Sequence, residues 1–539
     1  MSRILFWLLL GLILLPLGVV LSSIANPDFS LLQHLYQTVL LDYVSNSVLL
    51  AVGVGVGVAI IGASLAWALT QYSFYGSRLL GWLAVLPLAM PAYIIAYTYT
   101  GLLDYSGPVQ QFLRATFDWQ YGDYWFPNVR SLGGAIVMMT LVLFPYVYLL
   151  ARNAFTAQSH SLREASASMG VTRWHYFSRI AWPLAWPAIV AGMALAMMEA
   201  LADYGTVAYF GVSTFTSGVF RTWFGMGSRQ TALQLAAMLT LIVFVVIWLE
   251  QRSRHKVRHA TKGNAREPVR LTGLKGMGMA LACSLPVFLG FILPVIQLSS
   301  WAVSYLPDWS WQDYAPLVSQ SVMLAGITAL ATVLLALFLS YTKRWYTASI
   351  PQWAINLASM GYALPGIVIA VGVLVPLGFF DIKLNAFTNA WFGYQPGLIL
   401  SGTMVVLVFA YMVRFVAVAL QHTQTGLQTI TPNMDDAARS LGVGSVKATW
   451  RVHLPIMKPS LIAALLLVFV DVLKELPATL VLRPFNVNTL AVKAYELAMD
   501  ERLQQAALPA LSIVLCGILP VLLLIRQLRK HEDKYAKRA

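Results

Sequence analysis

The chain has 539 residues, of which 58% are hydrophobic and 11% are charged, and its mean hydropathy is +0.69. A soluble protein of this length carries much more charge on its surface, so the composition excludes a soluble globular protein. Apolar stretches of about 20 residues can each cross a bilayer as a helix, whereas a membrane barrel needs short alternating strands. The sequence therefore predicts an all-α polytopic membrane protein.

The first apolar stretch begins at Ile4 and follows Arg3, as the apolar core of a signal peptide would. It is longer than such a core usually is, and a similar stretch begins at Gly278, in the middle of the chain. We therefore expect a membrane span rather than a signal peptide. Six spans are predicted in the first half of the chain, at about 4–23, 45–69, 79–103, 132–151, 184–204 and 233–250.

A polar segment separates the fourth and fifth predicted spans, and it reads EASASMGVTRWHYFSRIAWP from Glu164. Residues 164–169 are predicted to form a short helix, which Gly170 can end in a left-handed conformation because it lacks a Cβ atom. Residues 171–180 have an amphipathic pattern, and Pro183 is predicted to mark the turn into the fifth span. Two short helices joined at a glycine would protrude from the membrane and fit a groove on another protein.

The fifth predicted span ends in two acidic residues, Glu199 and Asp203, which share a helix face because they are four residues apart. Acidic residues within membrane spans are costly and usually functional. Tyr204 follows directly and offers a phenol oxygen. Because hard cations prefer oxygen ligands, these residues are candidates for lining a cation pathway.

A basic linker is predicted over 251–275, in the middle of the chain. Positive charge marks the cytoplasmic side of a membrane protein, and six spans on each side would place both termini and the polar segment there too. The acidic loops 104–131 and 299–317 would then lie outside. The net charge of +14 therefore indicates orientation rather than nucleic-acid binding. The linker cations are Arg252, Arg254, Lys256, Arg258, Lys262, Arg266, Arg270 and Lys275.

Six more spans are predicted after the linker, at about 276–297, 318–341, 353–379, 398–420, 460–480 and 507–526. Cys283 and Cys516 lie inside two of them without disulfide or metal-ligand spacing, so we expect small apolar core residues. A second polar segment, DAARSLGVGSVKATWRVHLP, begins at Asp436, 272 residues after the first (436 − 164), and shares six of twenty residues with it.

The two halves of the chain match elsewhere as well. VSNSVLL from Val44 resembles VSQSVML from Val318, and LAMPAYIIA from Leu88 resembles YALPGIVIA from Tyr362. The sequence therefore predicts two homologous halves of six spans each, in the same orientation. The predicted halves are 1–250, with its repeat at about 44–250, and 276–539, with its repeat at about 317–526.

The two polar segments resemble the Glu-Ala-Ala signature of ABC importer permeases. The residues at the signature positions are Glu164, Ala165, Gly170 and Pro183, and again Asp436, Ala437, Gly442 and Pro455, where Asp436 replaces the Glu of the signature. The resemblance implies the type I importer fold, with each loop docked on one of two ATP-binding cassette subunits. The chain has no Gly-Lys dipeptide and hence no P-loop, so ATP and Mg²⁺ are expected on the partner subunits. No tightly bound cofactor and no enzymatic activity are expected on this chain.

Almost the whole chain resembles the fused permeases of ferric-iron ABC importers, notably in the stretches from Met198 and Asp471. This resemblance implies uptake of Fe(III) from a periplasmic ferric-binding protein across a bacterial inner membrane. Fused permeases for thiamine or another small cation are an alternative in the same family. A secondary transporter with six-plus-six spans is the alternative from another class, although it would have no reason to carry paired glycine-centred loops.

The acidic pair of the fifth span recurs as Asp471 and Glu475, again 272 residues later. A pseudo-twofold axis would bring all four carboxylates together as transient ligands of Fe(III), with a phenolate from Tyr204. A structural role is equally open. Lys474 follows Asp471 by three residues and could pair with it, and Asp203 could be solvated at the outer end of its span.

Overall fold

The structure is a computed structural model, and it describes residues 2–25, 28–120, 122–158, 166, 168–254, 268–346 and 350–536. Regular structure in these residues is almost entirely helical, as the apolar composition predicts. The helices are α1 (Ser2–Ser22), α2 (Phe29–Thr38), α3 (Leu40–Gln71), α4 (Ser77–Leu83), α5 (Ala92–Leu103), α6 (Pro108–Phe117), α7 (Leu132–Thr156), α8 (Arg173–Tyr176), α9 (Trp182–Ala202), α10 (Gly205–Tyr209), α11 (Phe215–Phe220), α12 (Arg229–Arg254), α13 (Gly273–Val287), α14 (Leu293–Tyr305), α15 (Trp311–Trp345), α16 (Gln352–Ala358), α17 (Gly366–Phe392), α18 (Met404–Gln428), α19 (Pro432–Ser440), α20 (Ser445–Ala448), α21 (Leu454–Leu473), α22 (Pro477–Leu482), α23 (Leu490–Met499) and α24 (Leu503–Ala536).

Short turns of other helical types extend or join these helices. The 3₁₀ turns are Ser23–Ala25, Leu86–Ala89, Leu306–Asp308 and Ser359–Ala363, and the π turns are Phe177–Ala181, Arg221–Gly225, Phe288–Ile292 and Thr449–His453. Two short strands, β1 (Tyr72–Ser73) and β2 (Val269–Arg270), pair in parallel. Because β1 follows α3 directly, the end of the predicted linker lies on the same side of the membrane as the end of α3.

Eleven of the described helices are long and apolar enough to cross a membrane, and a bent helix pair could form a twelfth span. The pair is 77–89 with 92–117, and it bends by 95°. The third predicted span is therefore broken. Pro91 explains the break, because proline disfavours a helical conformation at the preceding residue and Met90 is extended.

The predicted bounds of the ninth span, 353–379, were wrong, and a proline explains why. Leu364 precedes Pro365 and is extended, so the spanning helix α17 begins only at Gly366 and continues to Phe392. The spans after the two polar segments begin earlier than predicted, at Trp174 and Thr449.

The prediction that Pro183 marks a turn was wrong, because the helix continues through it. The N–H of Trp182 donates to the carbonyl oxygen of Phe177, five residues earlier, in a π turn. Leu454 bonds to Thr449 in the same way before Pro455. Each wide turn lets the helix continue past a proline that has no N–H to donate. In the second loop, the helical segment before Gly442 is therefore a separate short element.

The chain divides into two compact units, and each takes segments from both sequence halves. One unit comprises 1–32, 219–240 and 310–493, and the other comprises 33–218, 241–309 and 494–539. Within the former, α1 packs on α17, and within the latter, α14 packs on α24. The sequence repeat and the compact units therefore divide the chain differently.

Three long helices form the centre of each unit. They are α3, α7 and α9 in the second unit and α15, α18 and α21 in the first. Gly192 of α9 lies so close to α7 that a Cβ atom there would be 2.6 Å from the Cα atom of Val147. A Cβ atom at Gly62 of α3 would be 2.7 Å from the carbonyl oxygen of Phe144. Small residues thus let these backbones approach, as in other membrane helix bundles.

We expect Gly192→Val to destabilise the permease, because the new side chain would overlap the backbone of α7. Overpacking of this kind costs about 1–3 kcal/mol. The control is Gly11→Val, since Gly11 is also helical but has no atom within 4 Å of its virtual Cβ position. Thermal unfolding in detergent would measure the difference, and equal melting temperatures for the two variants would contradict this packing.

Candidate coupling loops and acidic helix breaks

Gly170 ends the helical segment of the first polar loop in a left-handed conformation, with φ +74°. The N–H of Val171 donates to the carbonyl oxygen of Ser166 at 3.0 Å. This is the bond that closes a helix C-terminus when glycine is left-handed. The conformation predicted for Gly170 is confirmed. Glu164 and Ala165 lie outside the described residues.

The second polar loop repeats this geometry. Gly442 has φ +70°, and the N–H of Val443 donates to the carbonyl oxygen of Ala438 at 2.9 Å. Asp436 and Ala437 precede it on α19, and both are exposed. The two loops therefore present the same helix terminus.

Large apolar side chains are exposed around both glycines. Met169 is 82% exposed and Trp174 is 70% exposed in the first loop. Leu441 and Trp450 are 80% and 69% exposed in the second. Exposed apolar residues grouped in polar loops are typical of surfaces that another protein covers.

Aromatic contacts hold the first loop against its unit. The ring of Trp67, at the end of α3, lies 4.7 Å from that of Phe177 and 5.2 Å from that of Phe155. Tyr176 lies 6.5 Å from Trp67 and is buried. The base of this loop is thus anchored by apolar packing.

Charged contacts hold the second loop instead. Asp435 of α19 forms an ion pair with Arg344 of α15, and its Oδ1 atom lies 2.9 Å from Nε2 of His453. Arg344 also donates to the carbonyl oxygen of Ile430 at 3.2 Å, and Tyr341 stacks on the His453 ring. The base of the second loop is thus anchored by a partly buried polar network.

The first half has no sequence equivalent of this network. At the repeat offsets, Thr70 corresponds to Arg344 and Ala181 corresponds to His453. Arg163, which lies outside the described residues, corresponds to Asp435. The two loops are therefore alike in backbone but differ in what anchors them.

Asp203 marks a break between helices in the first half. Helix α9 ends at Ala202, and Oδ1 of Asp203 accepts hydrogen bonds from the N–H groups of Thr206 at 2.8 Å and Val207 at 3.4 Å. The carboxylate thereby caps the short helix α10. The alternative of a merely solvated Asp203 is wrong, because the residue is partly buried and bonded to the backbone.

Glu475 marks the equivalent break in the second half. Helix α21 ends at Leu473, and Oε1 of Glu475 accepts a hydrogen bond from the N–H of Ala478 at 3.2 Å, at the start of α22. The same oxygen lies 2.6 Å from Nη1 of Arg414, and the carboxylate is buried. Asp203 and Glu475 therefore both cap the short helix that follows the break. Glu475 also forms an ion pair with Arg414.

The remaining acids of the two pairs also differ in surroundings. Asp471 forms an ion pair with Lys474 at 2.8 Å, so the predicted structural pairing is present. Glu199 is partly buried on α9. At the positions of Arg414 and Lys474, the first half has Val142 and Ala202. The second pair of acids is thus held by two cations whose aligned positions in the first half are uncharged.

No group of three or more His, Cys, Asp or Glu side chains that could hold a metal ion is found among the described residues. Transient metal ligation by the four carboxylates therefore stays a prediction. Arg414 was missed in the sequence analysis, although a lone arginine inside a predicted span is a signal of a buried partner.

Comparison with known proteins agrees with the duplicated architecture. Residues 55–259 and 333–534 both match the family described as binding-protein-dependent transport system inner membrane component. The chain is 27% identical to the Fe(3+)-transport system permease protein FbpB 2 of Haemophilus influenzae, over 96% of this chain and 98% of that protein. It is 23% identical to the ferric transport system permease protein FbpB of Actinobacillus pleuropneumoniae, over 84% of this chain and 66% of that protein.

A shorter part of the chain is similar to a permease that is named for another substrate. The sulfate transport system permease protein CysT of Escherichia coli is 31% identical over 28% of this chain and 51% of its own length. The two family matches together cover more than half of the sequence, with one match in each half. The chain therefore belongs to the family of binding-protein-dependent transport system inner membrane components, and it carries two copies of that domain.

Proposed function

We propose that this permease imports ferric iron, which a periplasmic ferric-binding protein delivers and separate ATPase subunits drive across a bacterial inner membrane. The proposal of iron as the substrate rests on the similarity to a Fe(3+)-transport permease over 98% of that protein's length. The similarity to a sulfate permease covers only 28% of this chain. Iron is the cargo in this proposal, and ATP with Mg²⁺ binds to the partner subunits.

The two polar loops, at Gly170 and Gly442, support the proposal that one chain engages two ATP-binding cassette subunits. We call them the coupling loops. Each loop presents a left-handed glycine, Gly170 or Gly442, beside exposed apolar side chains. A rigid helix terminus with apolar neighbours fits a groove on a partner protein. The full set proposed for ATPase coupling is Glu164, Ala165, Gly170, Pro183, Asp436, Ala437, Gly442 and Pro455.

The charge distribution supports an orientation in which the coupling loops face the cytoplasm. The linker cations mark the cytoplasmic side. The pairing of β2 with β1 places the end of the linker on the same side as the end of α3. With six spans on each side of the linker, both termini are also cytoplasmic in this proposal.

The direct test is transport by the permease in proteoliposomes with its ATPase and iron-loaded binding protein. We expect the proteoliposomes to accumulate ⁵⁵Fe only when ATP is present on the side of the membrane that carries the ATPase. We expect no accumulation of thiamine. Iron uptake driven by a proton gradient without ATP would contradict an ABC importer. Uptake of thiamine instead of iron would contradict the substrate.

We expect the double variant Gly170→Val, Gly442→Val to release the ATPase, because a side chain in the left-handed region costs about 1–2 kcal/mol per residue. A loss of about 1.4 kcal/mol corresponds to tenfold weaker binding. Gly393→Val is the matched control, since Gly393 also has a positive φ and open space but lies at the end of α17. Co-purification measures the effect, and equal ATPase recovery in all variants would exclude the docking role.

We expect Glu475→Gln to destabilise the protein, since it leaves the buried charge of Arg414 without its carboxylate. Breaking a buried ion pair in this way costs about 3–5 kcal/mol. The variant Arg414→Met, Glu475→Gln should recover much of that stability, because no unpaired charge remains. Thermal unfolding compares the variants, and an unchanged melting temperature for Glu475→Gln would contradict the pairing.

Glu199→Gln should instead slow iron transport with little change in stability, because Glu199 is only partly buried. If a charged contact of about 1.5 kcal/mol to the cation is lost, uptake should fall about tenfold. The measurement is ⁵⁵Fe uptake alongside thermal unfolding of the same preparation. Unchanged uptake would remove Glu199 from the substrate pathway.

A further inference from the structure

Five tyrosines are buried together in the unit that contains α5, α9 and α10. Tyr93 and Tyr97 lie one turn apart on α5, and Tyr495 belongs to α23. Tyr204 directly precedes α10, and Tyr209 is the last residue of α10. The ring centroids are 6.4 Å apart for Tyr97 and Tyr209, 6.5 Å for Tyr93 and Tyr495, and 6.1 Å for Tyr204 and Tyr495. We call these five residues the tyrosine cluster, and they form a continuous series of phenol groups.

One end of the tyrosine cluster reaches an exposed charged group. The guanidinium of Arg130 lies 5.4 Å from the ring centroid of Tyr209. Arg130 also lies 3.4 Å from Asp104 and 3.2 Å from Glu501, and all three side chains are exposed. This end of the cluster is therefore near solvent and two carboxylates.

The other end of the tyrosine cluster reaches the helix break at Asp203. Asp203 directly precedes Tyr204, and its carboxylate is close enough to Tyr495 to interact with it electrostatically. Glu199 lies one turn earlier on α9, within electrostatic range of Asp203. The phenols thus link an exposed acidic end to a partly buried acidic end within one unit.

Tyr97 is only 1% exposed, and its hydroxyl has no hydrogen-bond partner among the described residues. A buried polar group without a partner costs about 1–3 kcal/mol. Such a group in a native fold needs an explanation, and an absent ligand is one. Tyr97 therefore points to a ligand that accepts or replaces this hydroxyl proton.

The equivalent positions of the second half show that the fold does not need these phenols. Ile367 and Val371 correspond to Tyr93 and Tyr97 at the offset of 274 residues, and Leu476 and Val481 correspond to Tyr204 and Tyr209 at 272. Aliphatic residues therefore stand at these four positions. At the equivalent helix break, the buried phenol of Tyr411 bonds to Thr479, and Arg414 adds a positive charge. A cation is disfavoured there and favoured beside Asp203.

We propose that the tyrosine cluster, together with Asp203, is an internal binding site for a hard trivalent cation, Fe(III). This inference rests on the proposed function and specifies the ligands for its cargo. Hard, highly charged cations prefer oxygen ligands, and a bound cation promotes deprotonation of the groups that ligate it. Each phenol that binds releases one proton to water, and the resulting phenolate offsets the positive charge of the cation.

The test uses the full-length permease in lipid nanodiscs, titrated with Fe(III) nitrilotriacetate. Phenolate bound to Fe(III) gives a visible charge-transfer absorption that carboxylate ligation alone does not give. We expect this band in the wild type, with binding at least about tenfold weaker in Tyr97→Phe and Tyr495→Phe, the loss expected for one charged contact. Because ligation releases protons, the band should strengthen as pH rises.

The matched control is Tyr43→Phe, since Tyr43 is buried on α3 of the same unit but lies outside the cluster. This variant should keep the wild-type band, and thermal unfolding of every variant checks folding. No band in the wild type, or an equal band in Tyr97→Phe and Tyr495→Phe, would overturn the proposal. If wild-type vesicles import ⁵⁵Fe but the expected absorption band or its weakening in the variants is not observed, only the proposal for the tyrosine cluster is wrong. If they import no iron, the proposed function is wrong.

Discussion

A helix that ends inside a membrane must have its open backbone groups satisfied by the protein, because lipid offers no hydrogen-bond partner. In this chain the helices α9 and α21 end at Ala202 and Leu473, and short helices follow both breaks. A carboxylate caps each following helix, with Asp203 accepting from Thr206 and Glu475 accepting from Ala478. Each cap makes a broken helix tolerable within its own unit.

The same backbone requirement is met in two different electrostatic settings. Glu475 is held by the guanidinium of Arg414, so the second break carries a neutralised, buried ion pair. Asp203 has phenols beside it instead, and the first half has Val142 where Arg414 would stand. The two polar loops show the same division of properties, since their glycine termini match while one loop is anchored by aromatic rings and the other by charges. Duplication thus explains why the two halves share backbone geometry. The charged and aromatic side chains around that backbone differ between the halves.

Much of this architecture could be predicted from sequence because lipid imposes simple rules. The thickness of the bilayer sets the length of apolar runs, and the left-handed turns at Gly170 and Gly442 follow from glycine's missing Cβ atom. Other features depend on contacts that the linear pattern does not encode. Every span is apolar, so nothing in the pattern shows that α1 packs on α17 rather than on first-half helices. The pair of Arg414 with Glu475 joins residues 61 positions apart, and the tyrosine cluster gathers residues from α5, α10 and α23.

One chain carries both copies of the permease domain, so we propose that it also supplies both coupling loops. Native mass spectrometry of the complex, purified with its ATPase and released from detergent, measures this directly. We expect one permease chain with two ATPase chains, since each loop would engage one subunit. A complex of two permease chains with two ATPase chains would contradict it, because each chain would then contribute only one working loop.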